Sequence, residues 1–333
     1  MAALAADPKD GQGWDGFVRF LIGTACLLFG LGVLFLLVVD PYGSGQTGLP
    51  GRPGVQDQYP MTAHASRARN PAFNAAVFGN SRVQQLNPER LNRLTGLSFV
   101  SLTMPGTGPA DQIAVLRWFL ANHETPPKAV VIGADGYWCR PTFAFSDRFP
   151  AWLYDRRFLA YLGGVVRYRS LEAAASRIGF LWSGKGGARP DGYWDYVPIF
   201  AGLGLADPEA SRQRVEGNSK PSFEPNPRAA YPAIDALRDL LRTVPKETRF
   251  VLVRPPVYRN GLPAPGTAGA ANQAACNAQL AAVAAEFPQV RLIDFMTRGP
   301  VADAASNFYD FDHYRDPIAA EVEREIATTL GRS

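Results

Sequence analysis

The strongest pattern of apolar and polar positions is the run from Phe20 to Val39, which holds no charged residue and is rich in Leu, Val, Phe and Gly. At about twenty residues it matches the hydrocarbon thickness of a bilayer and predicts a membrane-spanning helix. A cleaved signal peptide has a shorter apolar stretch and a small-x-small cleavage site, whereas this run ends at Val39-Asp40-Pro41-Tyr42-Gly43. Residues 1–19 form a short tail carrying Lys9 and Arg19, and such a tail is most simply kept in the cytoplasm. The large C-terminal part is then expected on the far side of the cytoplasmic membrane, in the periplasm or outside the cell. Residues 40–70 are rich in Gly, Pro, Gln and Ser without an apolar period, and read as a flexible tether.

From residue 71 to 333 short apolar runs alternate with helical stretches. Strands are expected at Ala75–Phe78, Ser98–Leu102, Ala129–Ile132, Phe250–Val253 and Val290–Ile293. Helices are expected at Asn87–Leu94, Pro109–Asn122, about Asp155–Trp182, Tyr231–Arg242, Ala271–Glu286 and Ile318–Leu330. Asn87-Pro88 and Asp316-Pro317 each place a capping residue before a proline suited to the first helical turn. β-branched strands separated by helices predict an α/β fold, a three-layer αβα domain around a five-stranded, parallel, doubly wound sheet. Around 183–230 the chain turns loop-like, with Gly184-Lys185-Gly186-Gly187 and Pro225-Asn226-Pro227, and reads as an insertion. In such folds loops at the carboxyl ends of strands build the pocket.

Composition narrows the chemistry. The formal charge of +4 is scattered, and no basic stripe with interleaved aromatics points to nucleic acid. Of three cysteines Cys26 falls in the apolar run, so Cys139 and Cys276 either form one disulfide in an oxidising compartment or are two buried small side chains. No His/Cys/carboxylate cluster has metal-ligand spacing, and neither a metal nor another cofactor is called for. Of the three histidines, His64 in the tether and His123 at a helix end are expected to be solvated. The third, His313, lies in Phe308-Tyr309-Asp310-Phe311-Asp312-His313-Tyr314, with Asp310 three residues before it. Upstream, the strand at Ala75–Phe78 stops at Gly79-Asn80-Ser81-Arg82, which would expose the Ser81 hydroxyl at the carboxyl edge of the sheet.

The order of these parts is a serine after the first strand, Met104-Pro105-Gly106-Thr107-Gly108 after the second, Gly133-Ala134-Asp135 after the third, and Asp-x-x-His before the last helix. Over about residues 72–330 this resembles the SGNH (GDSL-like) hydrolase family, in particular its membrane-anchored members that act on cell-envelope polymers, such as the alginate O-acetylation proteins and the D-alanyl transfer protein of teichoic acid biosynthesis. The resemblance implies Ser81 as nucleophile, His313 as general base and Asp310 as its orienting carboxylate. Asp312 is at the wrong spacing for that role and is left as a neighbouring carboxylate. It implies an oxyanion hole from the N–H groups of Ser81 and Gly106; the family's third-block asparagine is replaced by Asp135, which binds a substrate hydroxyl or caps local backbone. Arg82 either holds an anionic substrate group or pairs with a carboxylate, and Tyr258 is a further substrate contact. The aromatic run Tyr193-Trp194-Asp195-Tyr196, with Trp138 and Trp182, either stacks on sugar rings or packs the insertion. The implied activity is transfer or hydrolysis of an acyl ester, an acetyl group foremost, on an envelope polysaccharide, with a multi-pass membrane acyltransferase as a partner. The rival is a non-catalytic accessory protein of the same kind of complex.

Overall fold

A computed structural model describes residues 9–47, 54–55, 59–184, 188–217 and 223–331. Five strands, β1 (Ala75–Gly79), β2 (Phe99–Thr103), β3 (Ala129–Gly133), β4 (Arg249–Arg254) and β5 (Val290–Asp294), pair in parallel in the order β2-β1-β3-β4-β5. β1, β2 and β3 are buried at every position, as expected of strands covered on both faces. Successive side chains point to opposite faces, so each strand feeds two cores. Phe78, Leu102, Ile132 and Leu252 face the helices α4 (Pro109–Ala121), α9 (Pro232–Leu241) and α10 (Ala268–Glu286). Val77, Phe99, Val131 and Val251 face α3 (Pro88–Thr95) and α12 (Asp316–Leu330). The three layers expected from the alternation of runs are therefore present. α3 and α12 are clasped by Arg90, which reaches Glu323 at 2.5 Å and Asp316 at 2.7 Å; Asp316 thus opens the last helix as an ion-pair partner while Arg315 holds the cap position. Asn87 caps α3 as expected, accepting the Glu89 N–H at 2.9 Å.

The apolar run is the end of a longer helix, α1 (Lys9–Val39), whose segment Gly13–Val39 is long and apolar enough to cross a membrane. Its helical course takes in most of the expected cytoplasmic tail.

The segment expected to be a loose tether is instead packed onto the domain wherever it is described. Asp40 accepts hydrogen bonds from Ser44 Oγ (2.9 Å), the Gly45 N–H (2.6 Å) and Tyr161 Oη (3.1 Å), and Gln46 Nε2 donates to the carbonyls of Leu153 and Asp155. α2 (Pro60–Arg67) buries Met61, Ala63, His64 and Ala65 against the sheet edge. Two turns of helix are too short for an apolar period to stand out, which is why composition alone suggested a linker. Residues 48–53 and 56–58 of the expected tether lie outside the described residues. His64 and His123 are likewise not solvated. His64 Nε2 donates to the Thr103 carbonyl at 2.9 Å, and burial, with Arg67 nearby, lowers its pKa to about 3, so it is a neutral structural group. His123 lies 2.9 Å from the carbonyls of both Phe119 and Phe73.

β2 is an edge strand, and its free side is covered rather than open: α2 lies beside it and the Asp191 carbonyl accepts its Ser101 N–H at 2.7 Å. Between β3 and α9 lie α5 (Phe158–Val165), α6 (Tyr168–Ser183), α7 (Val197–Gly202) and α8 (Pro208–Gly217). The expected loop-rich insertion thus carries two short helices, while 185–187 and 218–222 lie outside the described residues. A last short helix, α11 (Pro300–Asp303), precedes the His313 loop. Cys139, in the 3-10 turn after β3, forms a disulfide with Cys276 on α10, with Cα atoms 5.5 Å apart. This resolves the two readings of the pair in favour of the bond.

Candidate functional site

A sheet of order 2-1-3-4-5 reverses direction between β1 and β3, and side chains at the carboxyl ends of those two strands meet in the resulting crevice. β1 ends at Gly79 with φ +151°, a conformation that L side chains rarely adopt. A Cβ there would lie 2.3 Å from Val83 Cγ2, and one on Gly133 at the end of β3 would lie 2.7 Å from the same side chain. Two glycines therefore let Val83 sit between the strand ends, which pulls the turn down onto the sheet. Asn80 Oδ1 accepts the Arg82 N–H at 3.0 Å and closes an Asx turn around Ser81, leaving the Ser81 hydroxyl half-buried at the rim.

The opposing loop is pinched at its base by a bridge between Phe308 and Tyr314, both fully buried. Arg315 clamps it from behind, donating to the carbonyls of Phe308, Leu205 and Ala206 and to Ser211 Oγ at 2.7 to 3.1 Å. Inside the loop Asp310 Oδ1 accepts the N–H groups of Asp312 (3.0 Å) and His313 (2.9 Å), which fixes the carboxylate before any side chain is considered.

These two segments bring the three residues of the sequence reading together. His313 Nε2 lies 2.9 Å from Ser81 Oγ, and Nδ1 lies 2.9 Å from both carboxylate oxygens of Asp310. In the neutral imidazole, with Nδ1–H donating to Asp310, Nε2 is free to accept the Ser81 proton. Asp312, at the wrong spacing for the orienting role, joins the cluster as a neighbouring carboxylate: its Oδ1 is 3.1 Å from His313 Nδ1. Burial pushes the imidazole pKa down, but hydrogen bonds to Asp310 and Asp312 and the charge of both carboxylates outweigh it and raise it to about 9. Burial pushes the Asp312 carboxyl up; the hydrogen bond and charge of His313, then the charge of Arg82, hold it far below the usual carboxylate range. Asp310, Asp312 and His313 also bring ligand-type atoms within 4.8 Å of one another, closer than the sequence spacing suggested. The Arg82 guanidinium already sits on Asp312 Oδ2, at 2.8 Å.

Arg82 settles between its two readings as a carboxylate partner. It is almost fully buried, and besides Asp312 it reaches Asp135 at 3.4 Å. Asp135 in turn accepts the Tyr137 N–H (2.9 Å) and Asn80 Nδ2 (2.5 Å), so it caps backbone and braces the turn instead of facing solvent. A continuous chain of contacts thus runs His313–Asp312–Arg82–Asp135–Asn80, and the residues on both sides of Ser81 belong to it. Tyr258, expected at the substrate, is fully buried with its ring edge-on to Phe308; its N–H donates to the Phe311 carbonyl, which makes it a support of the loop.

Among the described residues the backbone N–H groups of Ser81 and Gly106 make no hydrogen bond, and Gly106 is exposed at φ +75°. Asp135 can only accept, so no third donor comes from that position. Beside the His313 loop, Phe200 of α7 stacks on Tyr309 with ring centres 4.1 Å apart and lies 5.9 Å from the His313 ring. A cavity of about 430 Å³ lies on the β2 side, walled by Tyr59, Tyr193, Trp194, Tyr196, Arg67 and Thr103. It joins the His313 loop through Tyr196, which packs on the Phe200–Tyr309 pair. Of the aromatics considered for sugar stacking, Trp138 is fully buried in the core and Trp182 is on α6.

No protein-family model matches this chain, and no curated protein matches it either.

Proposed function

We propose that this protein transfers or hydrolyses an acyl ester, an acetyl group foremost, on a cell-envelope polysaccharide, by way of an acyl-serine at Ser81. The observation that carries the reading is the unbroken relay Ser81 Oγ, His313 Nε2, His313 Nδ1, Asp310, each link at 2.9 Å. In the first half-reaction Ser81 Oγ attacks the ester carbonyl of the donor while its proton passes to His313 Nε2. The negative charge of the tetrahedral intermediate falls to the Ser81 and Gly106 N–H groups. Collapse breaks the bond to the leaving alcohol, which takes the proton from His313 and leaves the acyl-serine. In the second half a sugar hydroxyl, or water, attacks that ester, gives its proton to His313, and the Ser81 hydroxyl is restored.

Asp135, Asp310 and Asp312 outnumber the two cationic groups beside them, Arg82 and His313, and favour a neutral acyl group over an anionic one at this carbonyl. The aromatic cavity suits the faces of sugar rings, since Trp and Tyr combine apolar area with a polar edge. α1 supports anchorage by one membrane span, and a disulfide supports an oxidising compartment, so we place the domain on the periplasmic or outer side of the cytoplasmic membrane. The order of motifs supports kinship with SGNH hydrolases. A transferase on that side needs acyl groups brought across the bilayer, for which a multi-pass membrane acyltransferase is the fitting partner.

The test is covalent labelling of Ser81 by a serine-directed phosphonate, with acyl-ester turnover in parallel. Wild type should label and turn over; Ser81→Ala should do neither, and His313→Gln should lose about three orders of magnitude or more in turnover. Labelling that persists in Ser81→Ala would remove the nucleophile assignment, and an unlabelled wild type would favour the accessory role. Acyl transfer to added polysaccharide separates transferase from hydrolase.

A further inference from the structure

The anchor helix does not end clear of the domain. Leu36 is buried in the main core cluster together with Ala174 of α6, and Tyr42 just beyond α1 shares a hydrogen bond with Ser170, the third residue of α6, at 3.1 Å. Leu36 belongs to the apolar segment itself, so a helix packed against it stands at the depth where α1 leaves the bilayer.

α6 has two unlike long faces. Ser170, Ala174 and Arg177 are buried against the domain. Tyr168, Leu171, Ala175, Ile178 and Trp182, spaced three and four residues apart, form an unbroken outer stripe, and every one of them is exposed, Tyr168 at 75% and Trp182 at 92%. Arg167 and Arg169 stand exposed at its start. Beside the helix opens a cavity of about 840 Å³ in which Arg148, Arg167, Arg169 and Arg177 outnumber Asp147 and Glu172. A soluble surface gains nothing from such a stripe, whereas an apolar stripe edged by arginine is the pattern of a helix lying in a lipid headgroup layer.

We infer that α6 lies on the bilayer that α1 spans, with Tyr168, Leu171, Ile178 and Trp182 immersed at the headgroup boundary and the neighbouring arginines on the phosphates of anionic lipid. The inference rests on the reading of α1 as a membrane anchor. It makes the catalytic domain a body seated on the membrane, where the reading of residues 40–70 as a tether would leave it free.

The test uses the full chain in nanodiscs of phosphatidylglycerol and phosphatidylcholine. The free cysteine is removed by Cys26→Ser, and single nitroxides are placed at Ile178→Cys and Trp182→Cys, at Asp239→Cys as an aqueous reference, and at Phe29→Cys as a reporter of the anchor. Labels at 178 and 182 should be reached by oxygen and shielded several-fold from an aqueous nickel chelate relative to 239. Nickel access at 178 and 182 equal to that at 239, with 29 still shielded, overturns the seating alone. Nickel access at 29 as well removes the anchor reading itself. Spin–spin broadening between copies at 182 would assign the face to a second chain and likewise overturn the proposal. Replacing phosphatidylglycerol by phosphatidylcholine, or combining Arg167→Ala with Arg169→Ala, should raise nickel access at 182; no change in either sinks the anionic-lipid part.

Discussion

The two halves of the candidate site are held by different kinds of structure. The Ser81 turn is continuous with a central strand: Gly79 and Gly133 admit Val83 between two fully buried strand ends, and backbone pairing within the sheet decides where the hydroxyl stands. The His313 loop has no strand beneath it. One antiparallel bridge, a small buried cluster of Tyr258, Phe308 and Tyr314, and the four-pronged Arg315 guanidinium hold it, and three of the four Arg315 acceptors lie about a hundred residues away in the α7–α8 segment. One half is thus set by the packing of the central sheet, the other by a small separate cluster fastened through directed polar contacts. Loss of packing should therefore cost global stability, and loss of the clamp should cost activity first.

The largest expected effect tests the sheet side. The Cys139–Cys276 bridge closes a loop across 137 residues and ties the turn after β3 to α10. Replacing both cysteines by alanine should lower unfolding stability by about 4 kcal/mol in a denaturant titration, with turnover of the remaining folded protein little changed. A fall in turnover without a fall in stability would reverse the assignment of this bridge to the scaffold.

Gly79→Ala comes next. The new Cβ meets Val83 in a strained conformation, so about 3 kcal/mol of stability should go, and the displaced turn should lower turnover as well. A neutral result would show that the turn is not pinned by Val83.

Arg315→Ala should leave the cooperative unfolding transition in place while lowering turnover about 10- to 100-fold. A single ammonium cannot reach four acceptors, so Arg315→Lys should rescue little. An unfolded Arg315→Ala protein would erase the contrast between the two halves.

The smallest effect concerns protonation. A base must be neutral to take the serine proton, so kcat/KM should rise with pH along a limb centred on about 9, the value to which the two carboxylates lift His313. Asp312→Asn should move that midpoint down by roughly one unit, while an unmoved midpoint would assign the lift to Asp310 alone. The same raised pKa stabilises the fold: its contribution is complete below the unfolded value of 6.5 and is lost as pH climbs through about 9.

The order of strands and helices was legible because each is a local pattern: a short apolar run between breakers, or a period of three to four residues. α2 was missed because eight residues are too few for a period, and His64 was misplaced with it. The Asp310–His313 spacing was readable because both groups lie on one turn. Asp312 could be read only as a neighbouring carboxylate, because template spacing says nothing of where a loop folds back, and no feature of Arg315 in the sequence announces which four oxygens it will find. Tyr258 was expected at the substrate from its place after β4, but the chain packs it beneath Phe308.

By itself the sequence determined the apolar helix, the alternation that makes a parallel doubly wound sheet, and the identities of Ser81, Asp310 and His313. Their meeting was decided by tertiary structure, as were the second carboxylate at His313, the pairing of Asp135 with Arg82 and its hydrogen bond from Asn80, the docking of residues 40–47 and α2, and the disulfide. The reason is range. Propensity and periodicity act over a few residues and leave a trace in composition, whereas an ion pair between Arg82 and Asp312, 230 positions apart, exists only after the crevice between β1 and β3 has brought both ends to one place.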